Sequence, residues 1–362
     1  MIIIGSILLI LYLISLGILI YGYQQIPENK LNPEENNNPN THFSIIIPFR
    51  NEAKNLPGLL KTITQLNYPE NLFEIIFVDD ESEDNSVEII SKELINGPIS
   101  FKIINNNRKS ASPKKDAITE AITQSKYGWI LTTDADCMLP ENWLSAFDTF
   151  IQKYNPTMLV GPVRYIEKNG LINNYQQMDN YSLQTTTVGS FGLKNPLLCN
   201  GANLAYKKEE FRSVLGFSEN NHIASGDDVF LLEKFKKRNP KAVQFIKNKE
   251  AMVLTQSQES WKNIINQRVR WASKTSKQKD IFTKLLSIIV SLSNLFVLIG
   301  LLFCLLQFSY FNYYFQFLAF KIVFDYLFLY QTSSFFRKKI NPYYFIINIL
   351  IYPIITVIIV LK

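Results

Sequence analysis

Hydrophobic positions fall along this chain in two rhythms. Residues 2–21 contain no charged side chain, and a run of about 20 apolar residues crosses a hydrocarbon core of ~30 Å as a helix. Three further apolar runs come late, at residues 285–307, 313–330 and 343–361. The middle one carries Lys321 and Asp325, four apart on one helical face, a spacing at which buried charges pair or face protein rather than lipid. Between these ends the rhythm changes. "FSIIIPF", "FEIIFVD", "FKIIN" and "WILTT" are short continuous apolar runs, and each of the first three is followed by a segment with helical periodicity, "NLPGLLKTITQL", "SVEIISKELI" and "KKDAITEAITQ". Buried strands alternating with crossover helices predict an α/β domain built on a mostly parallel, Rossmann-type sheet.

The division that follows is an N-terminal transmembrane helix at 1–23, an Asn/Pro/Glu-rich linker at 24–41 and an α/β domain at 42–257. A segment at 258–282 has Trp261, Ile264, Ile265, Val269 and Trp271 at roughly helical spacing, the pattern of an amphipathic helix lying at a membrane surface. Residues 283–362 form a C-terminal membrane region of about three helices. The first apolar run lacks a basic start and a small-residue cleavage site, so it reads as a retained anchor.

Composition changes this picture little. The net charge of +6 is modest, and its basic residues gather near the membrane, where anionic lipid rather than nucleic acid is the counterpart. Arg337, Lys338 and Lys339 lie in a short loop between the last two spans. The positive-inside rule puts that loop, and with it the large central segment, in the cytoplasm, at a plasma or inner membrane. Cys137, Cys199 and Cys304 have no paired spacing, and His42 and His222 belong to no ligand pattern, which excludes a disulfide framework and a zinc site.

Candidate chemistry sits at the polar ends of the strand-like runs. Arg50, Asn51 and Glu52 follow the first, Asp79 and Asp80 end the second, and Asp134 and Asp136 follow the fourth. Ligands of parallel sheets bind outside the carboxyl ends of the strands, so these groups can converge on one cleft. Two carboxylates one residue apart repel unless something positive lies between them, and Mg²⁺ or Mn²⁺ bridging carboxylate to phosphate meets that need. Neither a Walker lysine loop nor a glycine-rich dinucleotide fingerprint is present, which argues against a P-loop nucleotidase and a nicotinamide enzyme.

These motifs, in their order, resemble glycosyltransferase family 2 of GT-A fold, in its membrane-anchored and processive forms. "SIIIPFRNE" resembles the family's first strand, with Pro48, Asn51 and Glu52 in the nucleotide-sugar region. In "VDDES", the resemblance implies that Asp80 binds the nucleotide base with Asp79 beside it. "PKKDAI" places Lys114 near the diphosphate. "DAD" resembles the metal motif, with Asp136 as the direct ligand and Asp134 as a metal or donor-sugar contact. "CNGANLAYKKEEF" resembles the acceptor-side segment at Asn200, Gly201 and Asn203. "SGDDVFL" matches the paired acids, Asp228 as catalytic base and Asp227 beside it. "QRVRW" matches the Gln-x-x-Arg-Trp signature through Gln267, Arg270 and Trp271, assigned to acceptor and diphosphate. Three positions depart from the family pattern: Glu81 and Pro113 stand where glycines are usual, and Asp227 stands where glutamate is usual.

The resemblance implies an inverting, metal-dependent transfer from a nucleotide-diphosphate sugar, a UDP-sugar, to a lipid or lipid-linked glycan at the cytoplasmic face. Its partners are the donor, the acceptor and membrane lipids. A processive polysaccharide synthase is the alternative within the family, and a catalytically silent nucleotide-sugar-binding scaffold is the alternative of another class.

Overall fold

The computed structural model describes residues 2–30, 38–223, 225–277 and 280–362, so part of the expected linker lies outside the described residues. The chain divides into two compact units, each assembled from separated stretches. One comprises Met1–Gln25, Glu167–Leu193 and Ser257–Lys362, and the other Ile26–Ile166 and Lys194–Gln256. A linear reading keeps residues 167–193 inside the α/β domain, whereas they cluster with the helical ends of the chain.

The helical unit opens with α1 (Ile2–Gln25). In the α/β unit the order is β1 (Phe43–Phe49), α2 (Leu56–Ile63), β2 (Phe73–Asp79), α3 (Ser86–Leu94), β3 (Phe101–Asn105), α4 (Pro113–Gln124) and β4 (Trp129–Thr132). The predicted alternation is therefore observed, and β1 pairs in parallel with β2 and β4, as β2 does with β3. Ile45, Ile46 and Ile47 of β1 are all 0% exposed, because helices cover both faces of a parallel sheet and its strands need no polar side. Pro48 is registered against Val78 of β2 but lies past the end of the β4 ladder, where its missing N–H costs no sheet bond on that side.

Beyond β4 the elements are short: β5 (Cys137–Met138), α5 (Trp143–Tyr154), β6 (Met158–Val160) and β7 (Val163–Tyr165). After α6 (Leu171–Gly192), which belongs to the helical unit, come β8 (Leu204–Lys207), α7 (Lys208–Ser213), α8 (Val229–Arg238), β9 (Val243–Phe245) and β10 (Val253–Thr255). The main sheet has the order β3-β2-β1-β4-β8-β6-β9, with β8 antiparallel to both neighbours, and β5-β10-β7 form a second small sheet.

Asn203 belongs to this framework rather than to an acceptor surface, which corrects the sequence expectation. It is 0% exposed. Its Oδ1 accepts from Trp143 Nε1 at 3.0 Å, and its Nδ2 donates to the carbonyls of Pro162 at 2.8 Å and Ala251 at 2.7 Å. A buried amide so placed, with both N–H donors committed and its oxygen engaged by Trp143, ties α5 to the segments of Pro162 and Ala251 and is closed off from a surface ligand.

The helical unit continues with α9 (Trp261–Lys277), α10 (Ile281–Leu306), α11 (Phe311–Phe335) and α12 (Pro342–Leu361). Among the described residues, α1, α10 and α12 are long and apolar enough to cross a membrane. α11 holds the predicted charge pair, Lys321 Nζ lying 2.6 Å from Asp325 Oδ2. α9 forms where amphipathicity placed it, but its apolar edge is covered by protein: Ile264 is buried in a cluster with Tyr175 of α6 and Ile355 of α12. Gly192 of α6 faces the backbone carbonyl of Gly22 of α1 so closely that a Cβ has no room, the close approach that small residues permit between helices.

Two stability outcomes follow. Asn203→Ala removes the acceptor of the Trp143 N–H and a donor to the Ala251 carbonyl in the core, while the Pro162 carbonyl keeps Val253 N–H at 3.1 Å. At about 3 kcal/mol for such a loss, the melting midpoint in detergent falls by roughly 6–12 °C, whereas Asn200→Ala, which removes one cap, shifts it far less. Gly192→Val forces α1 and α6 apart and costs about 1–3 kcal/mol, read as earlier proteolysis of α1 during a thermal ramp.

Candidate active site

The carboxyl ends of β1, β2 and β4 lie side by side because these strands are parallel neighbours. Backbone bonds continue each ladder one residue past its strand: Asp80 N–H donates to Phe49 O at 2.9 Å, Asn106 N–H to Asp79 O at 2.8 Å and Thr133 N–H to Ile46 O at 3.2 Å. The polar residues that follow the strands are thereby fixed along one edge of the sheet.

The positive group demanded by Asp134 and Asp136 is Lys114. Its Nζ donates to Asp134 Oδ1 at 2.6 Å and lies 3.5 Å from Asp227 Oδ2. Burial pulls the Lys114 ammonium down, but Asp134 and Asp227 outweigh it and hold the proton above the usual lysine range. Gly201 closes in from the other side: a Cβ there would stand 2.9 Å from Asp227 Oδ2 and 3.7 Å from Lys114 Nζ. Asn200 caps the turn that carries Gly201, its Oδ1 accepting from Ala202 N–H at 3.0 Å. Asp228 is the N-cap of α8, its Oδ1 accepting from Val229 N–H at 2.8 Å.

Asp136 feels the remaining negative charge. Burial, then the charges of Asp134 and Glu52, raise its carboxyl to about 6. Thr255 of β10 donates to its Oδ2 at 3.3 Å. Glu52 is raised by burial too, against a 2.7 Å hydrogen bond from Asn55 and with the charge of Asp134 adding to the rise. An excess of hard oxygen donors over one ammonium fits a divalent cation of the Mg²⁺ or Mn²⁺ class. Among the described residues no group of three acidic, histidine or cysteine ligands is preassembled. An ion held by so few protein carboxylates would depend on phosphate and water for its other ligands, as Mg²⁺ commonly does.

Asp80 is held by residues that sequence reading did not single out. Asn106 Nδ2 and Arg108 Nε both donate to its Oδ1 at 2.6 Å, and Arg108 Nη1 lies 2.8 Å from Glu81 Oε2. Glu81 has φ 60°, the left-handed conformation that explains why glycine is usual there. Asn51 is also left-handed at φ 54°, and its Oδ1 accepts from Glu83 N–H at 2.8 Å. Asp79 secures the same turn, accepting from Ser82 N–H at 3.0 Å. Both residues thus shape the loop around Asp80.

Gln267, Arg270 and Trp271 lie on α9 in the helical unit. Arg270 is exposed, while Arg268, which the motif does not include, is 7% exposed and forms an ion pair with Asp179 of α6. The Arg268 guanidinium stacks 4.1 Å from the ring centroid of Trp271. That geometry fixes the indole by cation–π contact. Thr255, Arg108 and Arg268 all act through partners distant in sequence, so no local pattern marks them.

Comparison with known proteins identifies this sheet. A family model described as glycosyl transferase family 2 matches residues 44–215. The chain is 26% identical over 188 residues to the glycosyltransferase AglE of Haloferax volcanii, covering 51% of this chain and 58% of that one. It is 32% identical over 162 residues to an undecaprenyl-phosphate 4-deoxy-4-formamido-L-arabinose transferase of Yersinia pestis, covering 43% of this chain and 47% of that one. The alignments thus span about half the length of these relatives. In fold, the chain matches the mannosyltransferase PcManGT of Pyrobaculum calidifontis, solved with GDP-Man and Mn²⁺, at a TM-score of 0.58 and 17% identity, covering 98% of this chain and 97% of that one. Residues 44–215 thus match the model of glycosyl transferase family 2, and the sheet that carries the acidic cluster has a GT-A-like fold.

Proposed function

We propose that the protein is a membrane-integrated, inverting transferase that moves a sugar from a UDP-sugar to a lipid or lipid-linked glycan at the cytoplasmic face. The observation that carries this reading is the cluster of Asp134, Asp136, Asp227 and Asp228 around the single ammonium of Lys114 at the carboxyl edge of the sheet.

Asp80, with Oδ1 engaged by Asn106 and Arg108, keeps its other oxygen as an acceptor for a base N–H, which suits uracil. Lys114 exchanges part of its carboxylate pairing for diphosphate oxygens and stabilises the charge that grows on the leaving nucleotide. Mg²⁺ or Mn²⁺ held by Asp136, with Asp134, would supply Lewis-acid neutralisation of that diphosphate; Mn²⁺ in the solved mannosyltransferase supports this. Asp228 takes the proton of the attacking acceptor hydroxyl as general base. Its place at the start of α8 gives it a fixed backbone. Attack from the side opposite the nucleotide inverts the anomeric carbon.

The lipid acceptor is supported by the three apolar helices and by the relative whose name specifies undecaprenyl phosphate. Gln267, Arg270 and Trp271 favour a second reading, a processive polysaccharide synthase, because the complete Gln-x-x-Arg-Trp signature accompanies that class. The basic loop of Arg337, Lys338 and Lys339 supports the cytoplasmic orientation.

The test is nucleotide release from a panel of UDP- and GDP-sugars by full-length protein in lipid nanodiscs. Release is expected with one donor, supported by Mn²⁺ or Mg²⁺ and abolished by EDTA. Asp228→Asn lowers the rate by about 10²–10⁴-fold, and Asp136→Ala loses the metal response. Radiolabel in the lipid fraction supports the leading reading, and label in a growing polymer supports the second. Donor binding without release in lipid extract would establish a silent scaffold instead.

Lys114→Met is expected to lower kcat/KM by at least tenfold and also to lower the melting midpoint, since it leaves Asp134 and the 11% exposed Asp227 facing each other without their cation.

A further inference from the structure

The helical unit contains a partly enclosed cavity open at one side. Leu16, Val290, Phe328 and Ile349 give it apolar flanks, and Tyr12, Lys321, Asp325 and Asn348 give it polar ones. Its lining comes from α1, α10 and α12, the three helices suited to crossing a membrane, together with α6 and α11. At that depth the molecule available to fill it is lipid. Charged and polar groups are costly there and point to a ligand or a partner.

The charges cancel in pairs. Lys321 Nζ lies 2.6 Å from Asp325 Oδ2, and Tyr12 Oη donates to Asp325 Oδ1 at 2.5 Å. Asp179, also on the wall, is paired with Arg268. A phosphate would find no uncommitted cation among these groups. Asn348 is different. It is 7% exposed, its Nδ2 is directed at the Met178 sulfur at 2.9 Å, and its Oδ1 has no hydrogen-bond partner among the described residues. A carbonyl oxygen left unpaired in an apolar site costs about 1–3 kcal/mol, and a hydroxyl donor from a ligand removes that cost.

We infer that this cavity binds an uncharged lipid bearing a free hydroxyl, the hydroxyl donating to Asn348 Oδ1 and the hydrocarbon lying along the apolar flanks. Diacylglycerols and polyprenols share this chemistry. The inference stands apart from the transferase reading, because every group it uses belongs to the helical unit.

Native mass spectrometry of the detergent-purified full chain tests it, with dioleoylglycerol, a polyprenol and dioleoyl phosphatidic acid as separate probes. One or both uncharged lipids should form a one-to-one adduct, phosphatidic acid a weaker one, and the difference between the first two names the source. Asn348→Leu should weaken the adduct by about tenfold, the equivalent of one hydrogen bond. Val290→Phe, which fills the cavity from α10, should abolish it and serves as the decisive variant if Asn348→Leu fails to elute as folded protein. Tighter binding of phosphatidic acid, unchanged binding in the folded variants, or no adduct with either uncharged lipid overturns the inference.

Discussion

The Lys114 ammonium holds the acidic edge of the sheet together. Lys114 sits in the first turn of α4, where the helix dipole disfavours a cation, and it stays there because Asp134 and Asp227 face it at 2.6 and 3.5 Å. These carboxylates arrive from loops more than ninety positions apart in the chain, one after β4 and one before α8. Their shared attraction to Lys114 offsets the repulsion that would otherwise separate them. A local preference overridden by a charge cluster is the kind of departure from local consistency that concentrates at binding sites.

How much of this was legible in the sequence depends on how far each element relies on its neighbours. β1 to β4 are visible because continuous apolar runs are the direct signature of strands buried on both faces. Asp80, Asp134 and Asp136 could be placed at an edge from those runs alone. β6, β8 and β9 have only three or four residues each, too few for a period to declare itself, and their mixed directions follow from pairing that no local pattern encodes. Asn203 shows the limit of motif reading: it sits inside a segment resembling an acceptor wall, yet three hydrogen bonds turn it into the core. Thr255 and Arg108 were missed for the same reason, since their partners lie far away in sequence.

α6 hid for a different cause. Its buried face includes Gln176, Asp179, Asn180 and Gln184, so an apolar stripe never appears although the helix is largely enclosed. Two of those groups find partners across the helical unit: Gln176 Nε2 donates to Gln258 O at 2.9 Å, and Asp179 pairs with Arg268, while Asn180 Oδ1 and Gln184 Oε1 have no hydrogen-bond partner among the described residues. Burial pushes the Asp179 carboxyl up, and Arg268 works against it. The Gln-x-x-Arg-Trp helix is thus anchored by a residue between the motif positions, and Trp271 inherits its orientation from that anchor.

One departure from the family pattern, Glu81, has a physical explanation. Glu81 adopts φ 60° without glycine's freedom, and Arg108 spans from its carboxylate to that of Asp80. The two halves of that bridge are not equal. The Glu81 side chain is 67% exposed, so its pair with Arg108 is screened and weak. The Asp80 side chain is 15% exposed and receives Arg108 Nε and Asn106 Nδ2 on one oxygen, a charge-assisted arrangement with little freedom. Asp80 is therefore aimed by Arg108 and Asn106, and the turn tolerates Glu81 because the orientation of the Asp80 carboxylate does not depend on it.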